Sequence, residues 1–235
     1  MRINKFLASA GIGSRRKVEE FILDNKITVN GKVITELGYD VKETDKVAYN
    51  GKLLSLTENK IYIMLNKPKC YITSLSDEKD RKVVTDLLKG IKDRVFPVGR
   101  LDYNTEGLLL LTNDGEWANN IIHPSNHIAK TYEVKTKYNL TNKQINEIRR
   151  GIVIDGKRTL PAKIEVVDYE EPYYVNHITI YEGRNREIRK MFEHLNLKIY
   201  NLKRLSIGGL HLGNLEMGKY RILKNNEIGK VFEED

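Results

Sequence analysis

The chain has 235 residues, and its 40 lysines and arginines outnumber its 32 aspartates and glutamates, which gives a formal net charge of +8. This length accommodates two domains, and the positive charge favours a polyanionic partner such as nucleic acid. The single cysteine, Cys70, excludes an internal disulfide and a cluster of thiolate metal ligands. No segment approaches the roughly 20 apolar residues that a membrane span needs, so we expect a cytoplasmic protein.

The N-terminal segment predicts a small unit of two helices and two hairpins. Apolar residues at helical spacing from residue 3 to 10 predict the first helix. Ser14 is a good N-cap for a second helix, which we expect to end near Asn25. Asn30-Gly31 and Asn50-Gly51 each lie between short apolar runs and are typical of type I′ hairpin turns.

The remainder predicts an α+β domain with a mixed, largely antiparallel sheet. Residues 55–60 are polar and lack apolar periodicity, so we place the two domains at 1–56 and 61–235. A capping box at Thr141 and Gln144 predicts a helix that ends at Gly151, and a second helix is expected over 185–194. Strand-like runs occur at 61–65, 108–112, 131–136, 162–167, 176–181 and 199–205, and the four leucines 108–111 indicate a strand buried on both faces.

A basic turn opens the second predicted helix. Three cations in a first turn oppose the helix dipole by about 0.3–1 kcal/mol each, so they form either a phosphate-binding site or a solvated surface. The segment RINKFLASAGIGSRRKVEEFILDNKITVNGKVI resembles the alpha-L RNA-binding module shared by a small-subunit ribosomal protein and many RNA-modifying enzymes. That resemblance implies RNA contacts from Arg2, Lys5, Ser14, Arg15, Arg16 and Lys17.

The segment GRLDYNTEGLLLLTNDG, residues 99–115, places Asp102 between turn-forming residues and directly before an apolar strand. A nearby cation such as Arg100 would favour the ionised carboxylate, which a nucleophile or base requires. The alternative is a turn-capping aspartate in an ordinary loop. The whole segment resembles the signature of the ribosomal-RNA pseudouridine synthases typified by RsuA and RluB, which implies that Asp102 is essential and that the chemistry needs no metal and no organic cofactor.

Two further segments are similar to this family. AKTYEV at 129–134 resembles its strand with the active-site tyrosine, and EGRNREIRKMF at 182–192 resembles the helix that supplies a basic partner. The resemblance places the family's active-site tyrosine at Tyr132 and its basic partner at Arg189. Without the resemblance, Tyr132 would be read as a half-buried strand tyrosine and Arg189 as a solvated basic residue.

The implied reaction converts uridine to pseudouridine, so the bond from uracil N1 to the ribose breaks and a bond to C5 forms. Asp102 would act on the ribose or attack the pyrimidine ring, Tyr132 would stack on the base and help to remove a proton, and Arg189 would orient the carboxylate. The uridine would be flipped out of its stack. Basic residues suited to the RNA backbone are Arg100, Arg184, Arg186, Lys190, Lys203 and Arg204.

The helix segment EGRNREIRK is more similar to the large-subunit enzymes, so the expected partner is 23S ribosomal RNA. A small-subunit enzyme, an enzyme for transfer RNA and a non-catalytic ribosome-assembly factor remain as alternatives. We expect no metal site, because Pro124 separates His123 from His127 and disrupts the helix that would align them. We expect a monomer, because no exposed apolar helix face stands out.

Overall fold

The computed structural model describes residues 1–56 and 59–234. Contacts divide the chain into two units. The first contains Met1–Ile61 with the short segments Lys92–Arg94 and Asn113–Gly115, and the second contains the other residues. Thr57 and Glu58, which belong to the predicted polar linker, lie outside the described residues.

The first unit consists of two helices and a small antiparallel sheet. Its strands pair in the order β2-β1-β3-β4. Its elements are α1 (Ile3–Ser9), α2 (Arg15–Leu23), β1 (Ile27–Val29), β2 (Lys32–Val33), β3 (Val47–Tyr49) and β4 (Lys52–Leu53).

Local sequence signals account for this unit. The Ser14 hydroxyl accepts a hydrogen bond from the Lys17 backbone N–H at 3.1 Å, as an N-cap should. Asn30 and Gly31 have φ values of 52° and 79°, and Asn50 and Gly51 have 46° and 79°. Both central residues of each turn are therefore left-handed, which confirms the predicted type I′ hairpins.

From residue 62 onward the chain forms one large sheet with helices and a separate β9–β10 hairpin. The strands are β5 (Tyr62–Lys67), β6 (Phe96–Val98), β7 (Glu106–Thr112), β8 (Lys130–Thr136), β9 (Val153–Ile154), β10 (Lys157–Arg158), β11 (Lys163–Glu170), β12 (Tyr173–Ile180), β13 (Ile199–Ile207), β14 (Leu210–His211) and β15 (Tyr220–Ile222). The helices are α3 (Gly115–Ile122), α4 (Asn142–Arg150), α5 (Glu187–His194) and α6 (Asn225–Ile228).

The large sheet has nine strands, with the main order β11-β12-β8-β13-β7-β5-β15, while β6 pairs with β7 and β14 with β13. Only the β13–β7 pair is parallel among the described pairs. This arrangement confirms the predicted α+β fold with a mixed, largely antiparallel sheet. The strand β6 has only three residues around a proline, and neither it nor the helix α3 was predicted from the sequence.

The central strand β7 fixes the geometry of the middle of the sheet. Leu108–Leu111 are all fully buried, as the sequence predicted. Gly107 has φ +103°, and a Cβ there would lie 2.3 Å from the Arg204 carbonyl oxygen on β13. Only glycine therefore allows β13 to approach β7 this closely.

The two helices predicted in this unit correspond to α4 and α5. The predicted capping box of α4 is present, since Thr141 and Gln144 exchange hydrogen bonds of 2.9 and 3.3 Å. Helix α5 begins at Glu187 rather than residue 185, because Arg186 adopts a left-handed φ of 53°. Each helix found in the described ranges is much shorter than a bilayer is thick, and none is long and apolar enough to cross one.

Candidate active site

A cavity of about 270 Å³ opens in the second unit, where the β6–β7 loop, β8, β13 and α5 meet. Asp102, Tyr132 and Arg189 all line it, although they lie far apart in the sequence. The structure thus brings together the three residues that the sequence predicted to be catalytic. The cavity also includes two ionisable residues that the sequence did not single out, the half-buried Lys130 and the buried Glu187.

Asp102 lies in the loop between β6 and β7, and this loop is anchored on both sides of the carboxylate. Before it, Leu101 N donates to Thr73 Oγ1 at 3.2 Å, and Thr73 Oγ1 donates to Leu101 O at 2.8 Å. After it, Thr105 N donates to Asp102 O at 3.0 Å. The side chain itself remains 34% exposed. The carboxylate is therefore held in place by its backbone and open to a substrate.

Arg189 of α5 forms an ion pair with the Asp102 carboxylate. Its Nε lies 3.7 Å from Asp102 Oδ2, and its Nη2 donates to Asn104 O at 2.9 Å and to Thr105 Oγ1 at 3.0 Å. Burial lowers the pKa of this guanidinium, and the Asp102 carboxylate partly offsets that effect. Arg100, which the sequence suggested for this role, is exposed.

Lys67, at the end of β5, is a site residue that the sequence reading missed. It is fully buried, and its ammonium donates to Pro68 O, Asp102 O and Thr105 O at 3.0, 3.1 and 2.8 Å. Burial lowers its pKa to about 8, and Asp102 acts in the opposite direction. At neutral pH it is therefore charged, and it fixes the backbone around Asp102. Its place at the end of a strand, after Asn66, gave no sequence signal of burial.

Tyr132 and Arg204 face each other on β8 and β13, where they are register partners. Tyr132 is 8% exposed and Arg204 only 3%. Arg204 Nε donates to Leu108 O at 2.7 Å, and its Nη1 donates to Tyr132 Oη at 3.3 Å. The prediction that Arg204 contacts the RNA backbone therefore needs correction, because a side chain bound inside the sheet is not presented at the surface.

Lys130 and Glu187 are ionisable residues beside the same cavity. Burial lowers the pKa of Lys130 to about 8, and the charge of Arg204 adds to this effect. Burial raises the pKa of the Glu187 carboxyl to about 7. Glu187 also accepts a hydrogen bond from Arg184 N at 2.9 Å, which explains its place at the start of α5.

The raised pKa of Glu187 predicts a pH-dependent stability. The folded protein holds this proton more tightly than the unfolded chain, whose ordinary pKa is 4.5, so the contribution is lost as pH rises from there through about 7. Glu187→Gln keeps the acceptor for Arg184 N and removes the titration. We expect the variant to gain up to about 3 kcal/mol in free energy of unfolding relative to wild type between about pH 5 and pH 8. Urea denaturation measures this, and a constant difference across that range would contradict it.

The other basic residues predicted to bind RNA differ in their availability. Arg186 is exposed, as is Arg100, and Lys203 is half-buried. The Arg184 guanidinium pairs with Glu182 and donates to two backbone carbonyls, and Lys190 pairs with Asp155. Arg184 and Lys190 would therefore have to share or exchange these partners to contact a phosphate.

In the first unit, the six residues predicted to contact RNA differ in whether other groups already bind their side chains. Arg15 and Arg16 are exposed and form no ion pair with any residue the structure describes. Lys17 pairs with Glu20, and Arg2 donates to Gly38 O at 2.9 Å. Lys5 is half-buried, and Ser14 is exposed and serves as the N-cap.

Across residues 1–56 and 59–234, no three His, Cys, Asp or Glu side chains are grouped so as to hold a metal ion.

The chain thus combines a unit whose cavity contains Asp102, Tyr132 and Arg189 with an N-terminal unit that carries the exposed cations Arg15 and Arg16. The family model described as RNA pseudouridylate synthase matches residues 61–194, and the model of the S4 domain matches residues 1–47. The chain belongs to the RNA pseudouridylate synthase family and is an RNA pseudouridine synthase.

Individual relatives match along nearly the whole chain. The ribosomal large subunit pseudouridine synthase B of Bacillus subtilis is 43% identical over 98% of this chain and 95% of its own length. An uncharacterized RNA pseudouridine synthase of Aquifex aeolicus is also 43% identical, over 99% and 94% respectively. A crystal structure of a pseudouridylate synthase is 31% identical, with a TM-score of 0.71 over 98% of this chain and 99% of that one.

Proposed function

We propose that this protein isomerises a specific uridine of ribosomal RNA, in the large-subunit RNA, with Asp102 as its nucleophile. The observation that carries the proposal is the Asp102–Arg189 pair, 3.7 Å apart, in a cavity that also contains Tyr132. The choice of large-subunit RNA is supported by the similarity to the Bacillus subtilis ribosomal large subunit pseudouridine synthase B. The similarity of the N-terminal segment to the S4 domain supports RNA as the binding partner.

The proposed reaction is an isomerisation, so the atoms of uridine are rearranged without an added reagent. The bond between uracil N1 and ribose C1′ breaks, a C5–C1′ bond forms, and the C5 proton moves away while N1 gains one. Asp102 acts on the ribose or on the ring, and Arg189 orients its carboxylate. Tyr132 provides a ring for stacking and a hydroxyl inside the cavity. Arg189 and Lys67 restrain the loop, so the carboxylate is positioned before the substrate arrives.

A cavity of about 270 Å³ suits a single nucleotide rather than a base that remains in a helix. The target uridine must therefore leave its stack, at a cost of a few kcal/mol. Contacts of the remaining RNA with the exposed Arg100 and Arg186 at the cavity and with the N-terminal module offset that cost. We thus propose that the cavity holds the target uridine while these other contacts hold the rest of the RNA.

Pseudouridine mapping on deproteinised 23S, 16S and transfer RNA tests the proposed substrate. The RNAs are treated with wild-type protein, modified with carbodiimide and read by primer extension. One new stop in 23S RNA supports the proposal. A stop in 16S RNA or transfer RNA would reassign the substrate, and no stop on any RNA that the protein binds would favour a non-catalytic assembly factor.

We also propose that residues 1–56 and 61–235 are separate domains. The limits of the two family matches, 1–47 and 61–194, support this division. A chain of residues 61–235 should remain folded and soluble while its affinity for RNA falls. Circular dichroism and a filter-binding titration measure both properties. Insolubility of the shortened chain would contradict the boundary.

A monomeric state and a cytoplasmic location remain predictions from the sequence.

Arg15 and Arg16 are proposed to neutralise RNA phosphates. Each phosphate contact contributes about 0.9 or less to the slope of log affinity against log salt concentration. The double variant Arg15→Gln and Arg16→Gln should therefore reduce that slope by about 1 to 2 and weaken binding most at low salt. Lys32→Gln is the matched control, because Lys32 is exposed in the same unit but outside the predicted contact set. Equal slopes for all three proteins would contradict the assignment.

A further inference from the structure

Arg204 is a buried cation on the wall of the active-site cavity. Its Nη2 has no hydrogen-bond partner, and the guanidinium forms no ion pair with a carboxylate among the residues that the structure describes. A buried charge without a counter-ion reduces stability. Folding alone therefore gives no reason for an arginine at this position.

The backbone and one hydrogen bond fix the position of this guanidinium. Gly107 allows β7 to approach the Arg204 backbone, because a Cβ at residue 107 would lie 2.3 Å from Arg204 O. Arg204 Nε donates to Leu108 O at 2.7 Å. The Arg204 side chain is therefore held by the centre of the sheet, which is the most deeply buried part of the domain.

From this position Arg204 contacts Tyr132. Nη1 lies 3.3 Å from Tyr132 Oη, and the guanidinium carbon lies 5.9 Å from the centroid of the tyrosine ring. Arginine has donors and no acceptor, so Tyr132 Oη must be the acceptor in this hydrogen bond. The hydroxyl hydrogen is left to point elsewhere, and it has no acceptor among the described residues.

A hydroxyl that accepts a hydrogen bond from a cation becomes a stronger donor, because each bond polarises the next. Tyr132 and Arg204 both line the cavity, so an acceptor that enters it can take the free hydrogen. The positive charge of Arg204 also contributes to the lowered pKa values of Lys67 and Lys130, both about 8. Its electrostatic effect therefore extends to Lys130 in the cavity and to Lys67, which contacts the backbone of Asp102.

Resting on the proposed function, we infer that Arg204 is a positioning residue that makes Tyr132 a hydrogen-bond donor to the displaced uracil. When the C1′–N1 bond breaks, the electron pair leaves with the base, and negative charge spreads over N1 and the two carbonyl oxygens. Tyr132 donates to one of these oxygens until the C5–C1′ bond forms. No proton is transferred in this step, and Arg204 acts only through the tyrosine.

A double-mutant cycle in the full chain tests this inference. The rate is measured as tritium released from ribosomal RNA labelled at uridine C5, since that C–H bond is lost in the reaction. Arg204→Gln should lower kcat by about 10²-fold and change KM by less than about threefold. In a Tyr132→Phe background the same change should lower kcat by less than about twofold further. Arg149→Gln is the control, because Arg149 Nη2 also donates to a strand carbonyl, Ile164 O, beside a separate groove.

Independent, multiplying effects of the two substitutions would overturn the inference, as would a kcat for Arg204→Gln equal to that of wild type. If Arg204→Gln does not fold, the same cycle is run with Arg204→Lys, which keeps a buried cation but moves the donor. Non-additivity supports the inference in either version. A wild-type protein that releases no tritium from any RNA overturns the proposed function instead, so the two failures are distinguishable.

Discussion

Asp102→Asn is expected to lower kcat by about 10⁴-fold or more, the scale on which loss of a nucleophile acts. The amide is nearly isosteric with the carboxylate, and the backbone carbonyl of residue 102 keeps its hydrogen bonds to Lys67 and Thr105. The loop should therefore keep its structure and the variant its RNA affinity. Single-turnover conversion, read by carbodiimide-dependent primer extension, measures the loss.

Asp168→Asn is the matched control for this substitution. Asp168 is an exposed aspartate on β11 of the same unit, and it does not line the active-site cavity. We expect it to retain wild-type kcat. An Asp102→Asn protein that still converts the target at more than about a tenth of the wild-type rate would exclude Asp102 as the nucleophile.

Arg189→Gln is expected to have the next largest effect, a loss of about 10²- to 10³-fold in kcat. The substitution removes the cation beside Asp102 and the two hydrogen bonds from Nη2 to Asn104 O and Thr105 Oγ1. Arg189→Lys should recover only part of the activity. A lysine ammonium cannot reproduce the planar guanidinium, which contacts the Asp102 carboxylate through Nε and Asn104 O and Thr105 Oγ1 through Nη2. Steady-state kinetics on the mapped target measures both variants.

His194→Gln provides the control for α5. His194 is on the same helix, is partly exposed and contacts Glu147 outside the cavity. Its kcat should equal that of wild type. If Arg189→Gln raised KM alone and left kcat unchanged, Arg189 would be an RNA contact rather than a residue that orients Asp102.

Several parts of the fold could be predicted because local sequence determines them. The Asn-Gly turns need left-handed backbone at both central residues, and the capping box at Thr141 places a helix start by short-range hydrogen bonds. The run of leucines at 108–111 predicted a strand buried on both faces, and the structure confirms it. The grouping of Asp102, Tyr132 and Arg189 was predicted from the family resemblance, because their separation in the sequence gives no geometric information.

The buried cations could not be predicted in the same way. Lys67 follows Asn66 at the end of β5 and Arg204 follows Lys203 within β13, and a basic residue beside another polar residue usually lies at an exposed position. Their burial depends on strand neighbours that are distant in the sequence, above all the parallel pairing of β13 with β7. A single sequence carries no direct signal for that pairing. Arg204 was therefore predicted to contact the RNA backbone.

Tritium release from 23S RNA labelled at uridine C5 tests the central claim most directly. The RNA is incubated with wild-type protein and with Asp102→Asn under conditions in which both bind it. We predict release of one tritium per RNA molecule with wild type, accompanied by one new pseudouridine, and no release above background with Asp102→Asn. Equal release by both proteins, or none by either on RNA that they bind, would contradict the account of a synthase that acts through Asp102.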